Sequence, residues 1–74
     1  MLGATYYGRK AEHGGYDWIV CIDTEGCFIT DPIDDWQKDN DYLEEAQENP
    51  SLYDPLRPEK AETILASWGR ALRE

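Results

Sequence analysis

The stretch YDWIVCIDTEGCFIT, residues 16–30, decides the fold. Tyr16 to Ile22 is β-branched and aromatic throughout, a composition that suits a packed, pleated strand. Asp23-Thr24-Glu25-Gly26 follows, and Cys27 to Thr30 forms a second strand. Asp at the first turn position and Gly at the fourth predict a type I turn closed by a left-handed glycine bulge. That register places Val20, Ile22 and Phe28 on one face, and Cys21, Cys27 and Ile29 on the other. A two-residue Glu25-Gly26 turn would instead put the cysteines on opposite faces.

Working outward, Ala4 to Lys10 (ATYYGRK) has β-formers around a glycine, which predicts a short, bulged edge strand. Glu12-His13-Gly14-Gly15 reads as the reversal that joins it to residue 16. On the other side, Asp31-Pro32 is a helix start signal, with Asp34 and Asp35 near the positive end of the dipole. Ile33 and Trp36 would then face the sheet. Asp39-Asn40-Asp41 interrupts this helix or caps a second one, and Asp41 with Glu44 resembles a capping box. Residues 42–48 (YLEEAQE) are helix material ended by Asn49-Pro50. Ser51 to Arg57 reads as an ordered loop held by Leu52, Tyr53 and Leu56. Pro58 opens the final helix, in which Ala61, Ile64, Leu65, Trp68 and Leu72 recur at helical spacing. Arg70 and Arg73 would lie in its last turn, and Gly69 in its interior, compensated by close approach to the sheet.

The predicted architecture is therefore α+β: a small three-stranded antiparallel sheet, a C-terminal helix packed on it, and a short acidic helical segment. Residues 1–74 form a single domain, with a β-meander over 1–30, the acidic segment over 31–57 and an amphipathic helix over 58–73. So short a chain buries only about 60% of its unfolded surface. Nine aromatic residues, three of them tryptophan, are the means of closing its core.

Charge is the second organising feature. Residues 23–54 hold eleven of the sixteen carboxylates and one base, Lys38, against a total net charge of −9. Such a chain repels duplex DNA, RNA and anionic membrane, so neither direct nucleic-acid binding nor membrane association is expected, and its electrostatic complement is a basic protein. No apolar run reaches the length of a membrane span and no signal peptide is visible. Free Cys21 and Cys27 without an export signal point to the cytoplasm. Solubility alone is the plain alternative reading of the charge.

Catalytic and metal chemistry find little purchase. His13 sits in a glycine-rich turn and Cys21 inside a strand, both more often structural than a nucleophile pair. No phosphate loop or nucleophile elbow is present. Asp39-Asn40-Asp41 opens like a calcium loop but lacks its sixth-position glycine and closing Glu, and two cysteines with one histidine fall short of a zinc site. No catalytic residue, metal or cofactor is therefore assigned.

The candidate partner-binding residues are Asp31, Asp34, Asp35, Asp39, Asp41, Glu44, Glu45 and Glu48, with the interleaved aromatics Trp36, Tyr42 and Tyr53. Residues 31–48 carry net −7 over 18 residues. As a helix that span is roughly 27 Å long, close to one charge per ~4 Å, against one per ~3.4 Å along a DNA strand. An aromatic ring desolvated among such charges supplies affinity that electrostatics alone do not. Tyr42 and Tyr53 read as surface rings, while Trp36 fits the core equally well.

Size, acidity, aromatic content and the lack of a catalytic motif give the chain a resemblance to small anti-defence inhibitors of bacteriophages and other mobile elements, anti-CRISPR proteins and DNA mimics among them. The resemblance rests on no motif. It implies a phage-encoded protein acting in the host bacterial cytoplasm, which inhibits a nucleic-acid-binding or nuclease complex, of the CRISPR-Cas type, by blocking its DNA- or RNA-binding groove. The basic residues Arg9, Lys10, Arg70 and Arg73 depart from a uniformly acidic mimic. The alternative is a small adaptor or regulatory protein docking through aromatic and apolar surface. A homodimer through the 4–10 edge is a further expectation.

Overall fold

In a computed structural model, which describes residues 3–73, the sheet has five antiparallel strands rather than three. In chain order the elements are β1 (Thr5–Lys10), β2 (Tyr16–Asp23), β3 (Gly26–Thr30), β4 (Gln37–Lys38), α1 (Tyr42–Glu48), β5 (Tyr53–Leu56) and α2 (Pro58–Ser67). Their order across the sheet is β4-β3-β2-β1-β5. The predicted β1 edge is thus an inner strand, paired with β2 on one side and β5 on the other. This removes the edge on which self-pairing was expected. The real edges are blunted: β4 is two residues long, Pro55 in β5 has no N–H, and the Tyr53 N–H is held by the Asn49 carbonyl at 2.9 Å.

Asp23 pairs directly with Gly26, so the β2–β3 hairpin turns on Thr24 and Glu25, and the Asp23 carboxylate accepts the Glu25 N–H at 2.8 Å. Ile22 then faces Cys27, and Cys21 faces Phe28. Both expected registers are displaced, and the cysteines lie on opposite faces. One cluster, on the α2 side, holds Tyr6, Ile19, Cys21, Phe28, Leu56, Ala61 and Leu65. The other holds Val20, Cys27 and Tyr53 with Ala46 of α1. Helices therefore cover both faces, which explains why residues 18–22 are apolar without alternation. Fully burying one large side chain such as Ile19, Tyr53 or Leu65 stabilises by ~1.5–3 kcal/mol.

Gly8 is required in β1 because the Tyr16 ring lies across it, and a Cβ there would stand 2.6 Å from that ring. Asp17 is the extra residue of a bulge, since Arg9 pairs with Trp18 and Lys10 with Tyr16. At the other end of the chain, α2 stops at Ser67, short of the predicted residue 73. Gly69 at φ +73° reverses the backbone, with its N–H on the Ala66 carbonyl (3.0 Å) and that of Arg70 on the Leu65 carbonyl (2.9 Å). This is a Schellman closure, in which glycine escapes the left-handed penalty of other residues. No atom lies within 4 Å of a Cβ built on Gly69, so close packing is not its reason.

The helix expected after Asp31-Pro32 is absent. The Asp31 carboxylate accepts the N–H groups of Ile33 (2.9 Å) and Asp34 (2.7 Å), closing a single turn that leads into β4. Ile33, expected on the sheet, is 86% exposed. Asp41 precedes α1 without capping it through its side chain, so the capping box does not form.

A candidate partner-binding surface

The eight acids of residues 31–48 do not form one helical row. Asp31, Asp34 and Asp35 occupy the turn before β4, Asp39 follows β4, Asp41 precedes α1, and only Glu44, Glu45 and Glu48 are helical. Three are bound into local structure. Asp31 closes its turn, Asp39 accepts the Asp41 N–H at 3.1 Å, and Glu45 accepts the Tyr53 hydroxyl at 2.7 Å. Asp35 accepts the N–H of Trp36 at 2.7 Å but remains exposed, as do Asp34, Asp41, Glu44 and Glu48.

The aromatics divide between the two faces of the sheet. Trp36 is half-buried on the α2 side, 6.5 Å from the Tyr6 ring, with its indole N–H on the Ala71 carbonyl at 3.1 Å. Tyr42 is half-buried on the α1 side, edge-on to Trp18 at 6.0 Å. Tyr53, read as a surface ring, is 1% exposed. Its hydroxyl joins two elements, accepting the Trp18 indole N–H at 3.2 Å and donating to Glu45. Burial and the adjacent carboxylate push this phenol well above the usual tyrosine range. Trp18 was not among the residues singled out from the sequence, although its position on the Val20–Ile22 side of β2 could have marked it.

What distinguishes the acidic segment is the absence of compensation. Among the described residues, none of its eight carboxylates forms an ion pair. Among the described residues, five of the seven bases make other contacts that leave these carboxylates unpaired. Arg73 pairs with Asp23 (2.6 Å) and Glu25 (3.1 Å), Lys10 with Asp54 (3.4 Å), and Arg70 donates to the Asp31 carbonyl (2.9 Å). Arg9 lies 5.1 Å from the Trp18 ring and Lys60 5.8 Å from that of Tyr16. The basic residues that departed from a uniform mimic are thereby committed to internal contacts.

The thiols of Cys21 and Cys27 are fully buried, and burial raises both pKa values to about 11, so neither has nucleophilic character near neutrality. His13 is exposed in its turn. Among the described residues no group of three or more His, Cys, Asp or Glu is disposed to hold a metal, and no helix is long and apolar enough to cross a membrane. No family model, curated protein or solved structure matches the chain.

Proposed function

We propose that the protein is a non-enzymatic binding module whose acidic edge, Asp34, Asp35, Asp41, Glu44 and Glu48, docks on a basic, nucleic-acid-binding surface of another protein and occludes it. The observation that carries this reading is the uncompensated charge: the exposed carboxylates of residues 31–48 have no ion-pair partner among the described residues. Clustered like charge opposes compaction, and long-range attraction accelerates encounter with a cationic groove. The small size and concentrated acidity also support an anti-defence role against a CRISPR-Cas type complex in a bacterial cytoplasm. Recognition depends on a patch of carboxylates from a turn and a short helix rather than on one helical row imitating a DNA strand. Ile33, exposed among Asp31, Asp34 and Asp35, supplies an apolar contact at the centre of the turn. The aromatic adaptor reading is weaker, because Tyr53 is consumed by the core and Trp36 and Tyr42 are largely so.

The test is capture of partners from bacterial lysate on the tagged protein, followed by elution with duplex DNA or with salt. A nucleic-acid-binding protein released by both supports the proposal. Retention of a partner that neither DNA nor 1 M salt displaces contradicts it, since the Debye length then falls to ~3 Å.

A further inference from the structure

Beyond α2, Ala71 and Arg73 are held against Tyr6, Phe28 and Trp36. Residues 70–73 belong to no helix or strand. They are read by side chains: the Trp36 indole N–H binds the Ala71 carbonyl (3.1 Å), and the Tyr6 hydroxyl binds the Arg73 carbonyl (3.0 Å). The Arg73 guanidinium sits 3.3 Å from the centre of the Phe28 ring, with one nitrogen 2.6 Å from Asp23 and another 3.1 Å from Glu25. Two main-chain carbonyls and one planar cation are thus recognised. The first pair is common to any peptide, and the cation demands arginine. A flat guanidinium both stacks on a ring and forks to carboxylates, which a lysine ammonium does not.

Three features make this ligand exchangeable. The N–H groups of Gly69 and Arg70 close the Ala66 and Leu65 carbonyls at the end of α2, so residues 71–73 can lift away with the helix terminus intact. Glu25, one wall of the socket, keeps 72% of its side-chain surface in solvent, whereas Asp23 keeps 19% and Arg73 22%. Among the described residues, a cleft of about 320 Å³ beside Arg73 is lined by Gly3, Ala4, Tyr6, Asp23, Thr24 and Glu25.

We propose that Asp23, Glu25, Phe28, Tyr6 and Trp36 form a binding site for an extended, arginine-bearing peptide of a partner protein, and that residues 71–73 fill it as an internal competitor. This site stands independently of the 31–48 carboxylates. A tethered competitor acts at an effective concentration on the order of mM, and a site open only part of the time weakens apparent affinity by that open fraction. Binding in trans is therefore gated by release of Arg73.

The probe is the acetylated, amidated pentapeptide Gly-Arg-Ala-Leu-Arg, titrated into full-length wild type and Arg73→Ala while the Trp36 indole and Glu25 amide signals are followed by NMR. The variant should bind saturably and ~10-fold or more tightly than wild type, and a peptide with citrulline as its last residue should not bind. Absence of saturable shifts in folded Arg73→Ala, or equal binding of the citrulline peptide, overturns the proposal. If Arg73→Ala does not fold, Arg73→Gln replaces it, since a neutral amide has no charge to hold it to Asp23 and Glu25 and so vacates the socket, and the same outcomes apply. Sedimentation of wild type alone gives the remaining arm: a dimer carrying the same Trp36 shift would make the occupant a second copy and overturn the partner assignment.

Discussion

Replacing Tyr53 by Phe removes one oxygen from the α1 side of the sheet and tests the linkage that its hydroxyl makes between Trp18 and Glu45. The hydroxyl gives a 2.7 Å bond to the Glu45 carboxylate and accepts a 3.2 Å bond from Trp18. A hydrogen bond to a charged group is worth about 1.5–3 kcal/mol, a neutral one about 0.5–1.5. Glu45 and Trp18 are only half-buried, so water recovers part of each, and about 2 kcal/mol is the net expectation. For a domain of this length, that lowers Tm by about 8–16 °C. The loss is severe against the ~3–5 kcal/mol that so small a core supplies. Thermal unfolding followed by circular dichroism measures it, with Glu45→Gln as a companion that keeps the shape and removes the charge. A change in Tm below about 2 °C in Tyr53→Phe would refute the linkage through the hydroxyl.

Other outcomes follow from the same structure. Gly69→Ala has free space for its Cβ but must adopt φ +73°, so it should cost about 1–2 kcal/mol, read as a shift in urea midpoint without change in slope. The buried thiols bear on alkaline stability. Folding raises both from 9.0 to about 11, so their contribution is complete below pH 9 and declines as pH rises through 11; Tyr53, raised by burial, acts in the same direction above pH 10. Urea midpoints should therefore fall between pH 9 and 11. At pH 8 the native thiols should resist an aromatic disulfide reagent that labels both in urea.

Much of the chain declares itself in sequence, and its failures have physical causes. The β2 and β3 strands, the stop at Asn49-Pro50 and the Pro58 start are visible because each depends on local chemistry. The register of β2 and β3 is not, because with helices on both faces hydrophobic alternation no longer separates inside from outside. The unbroken run Trp18 to Ile22 was the available clue that both faces are covered. β5 hides within Ser51–Arg57, where Asp54 and Pro55 argue against a strand; its pairing with β1 is a tertiary effect. Asp31-Pro32 suits a helix N-terminus and an isolated turn alike, since the same carboxylate satisfies the same N–H groups in each. At Gly69 the amphipathic stripe misleads: Leu72 packs against the core without being helical. The acidic surface was legible as charge and illegible as shape. The capture of Glu45 by Tyr53 and the pairing of Arg73 and Lys10 with other carboxylates are contacts that no spacing encodes.

The central claim is that the exposed carboxylates of residues 31–48 hold the partner. Its most direct test is the affinity of the captured partner for wild type and for the variant Asp34→Lys, Asp35→Lys, Glu44→Lys, Glu48→Lys, at rising salt. Glu45 is left in place because it bonds Tyr53. The variant should keep its circular dichroism spectrum and lose ~100-fold or more in affinity, the coupling expected of several desolvated charge pairs. Wild-type binding should weaken steeply with salt. Equal affinity of the two proteins, with no dependence on salt, would contradict the account and leave the charge to solubility.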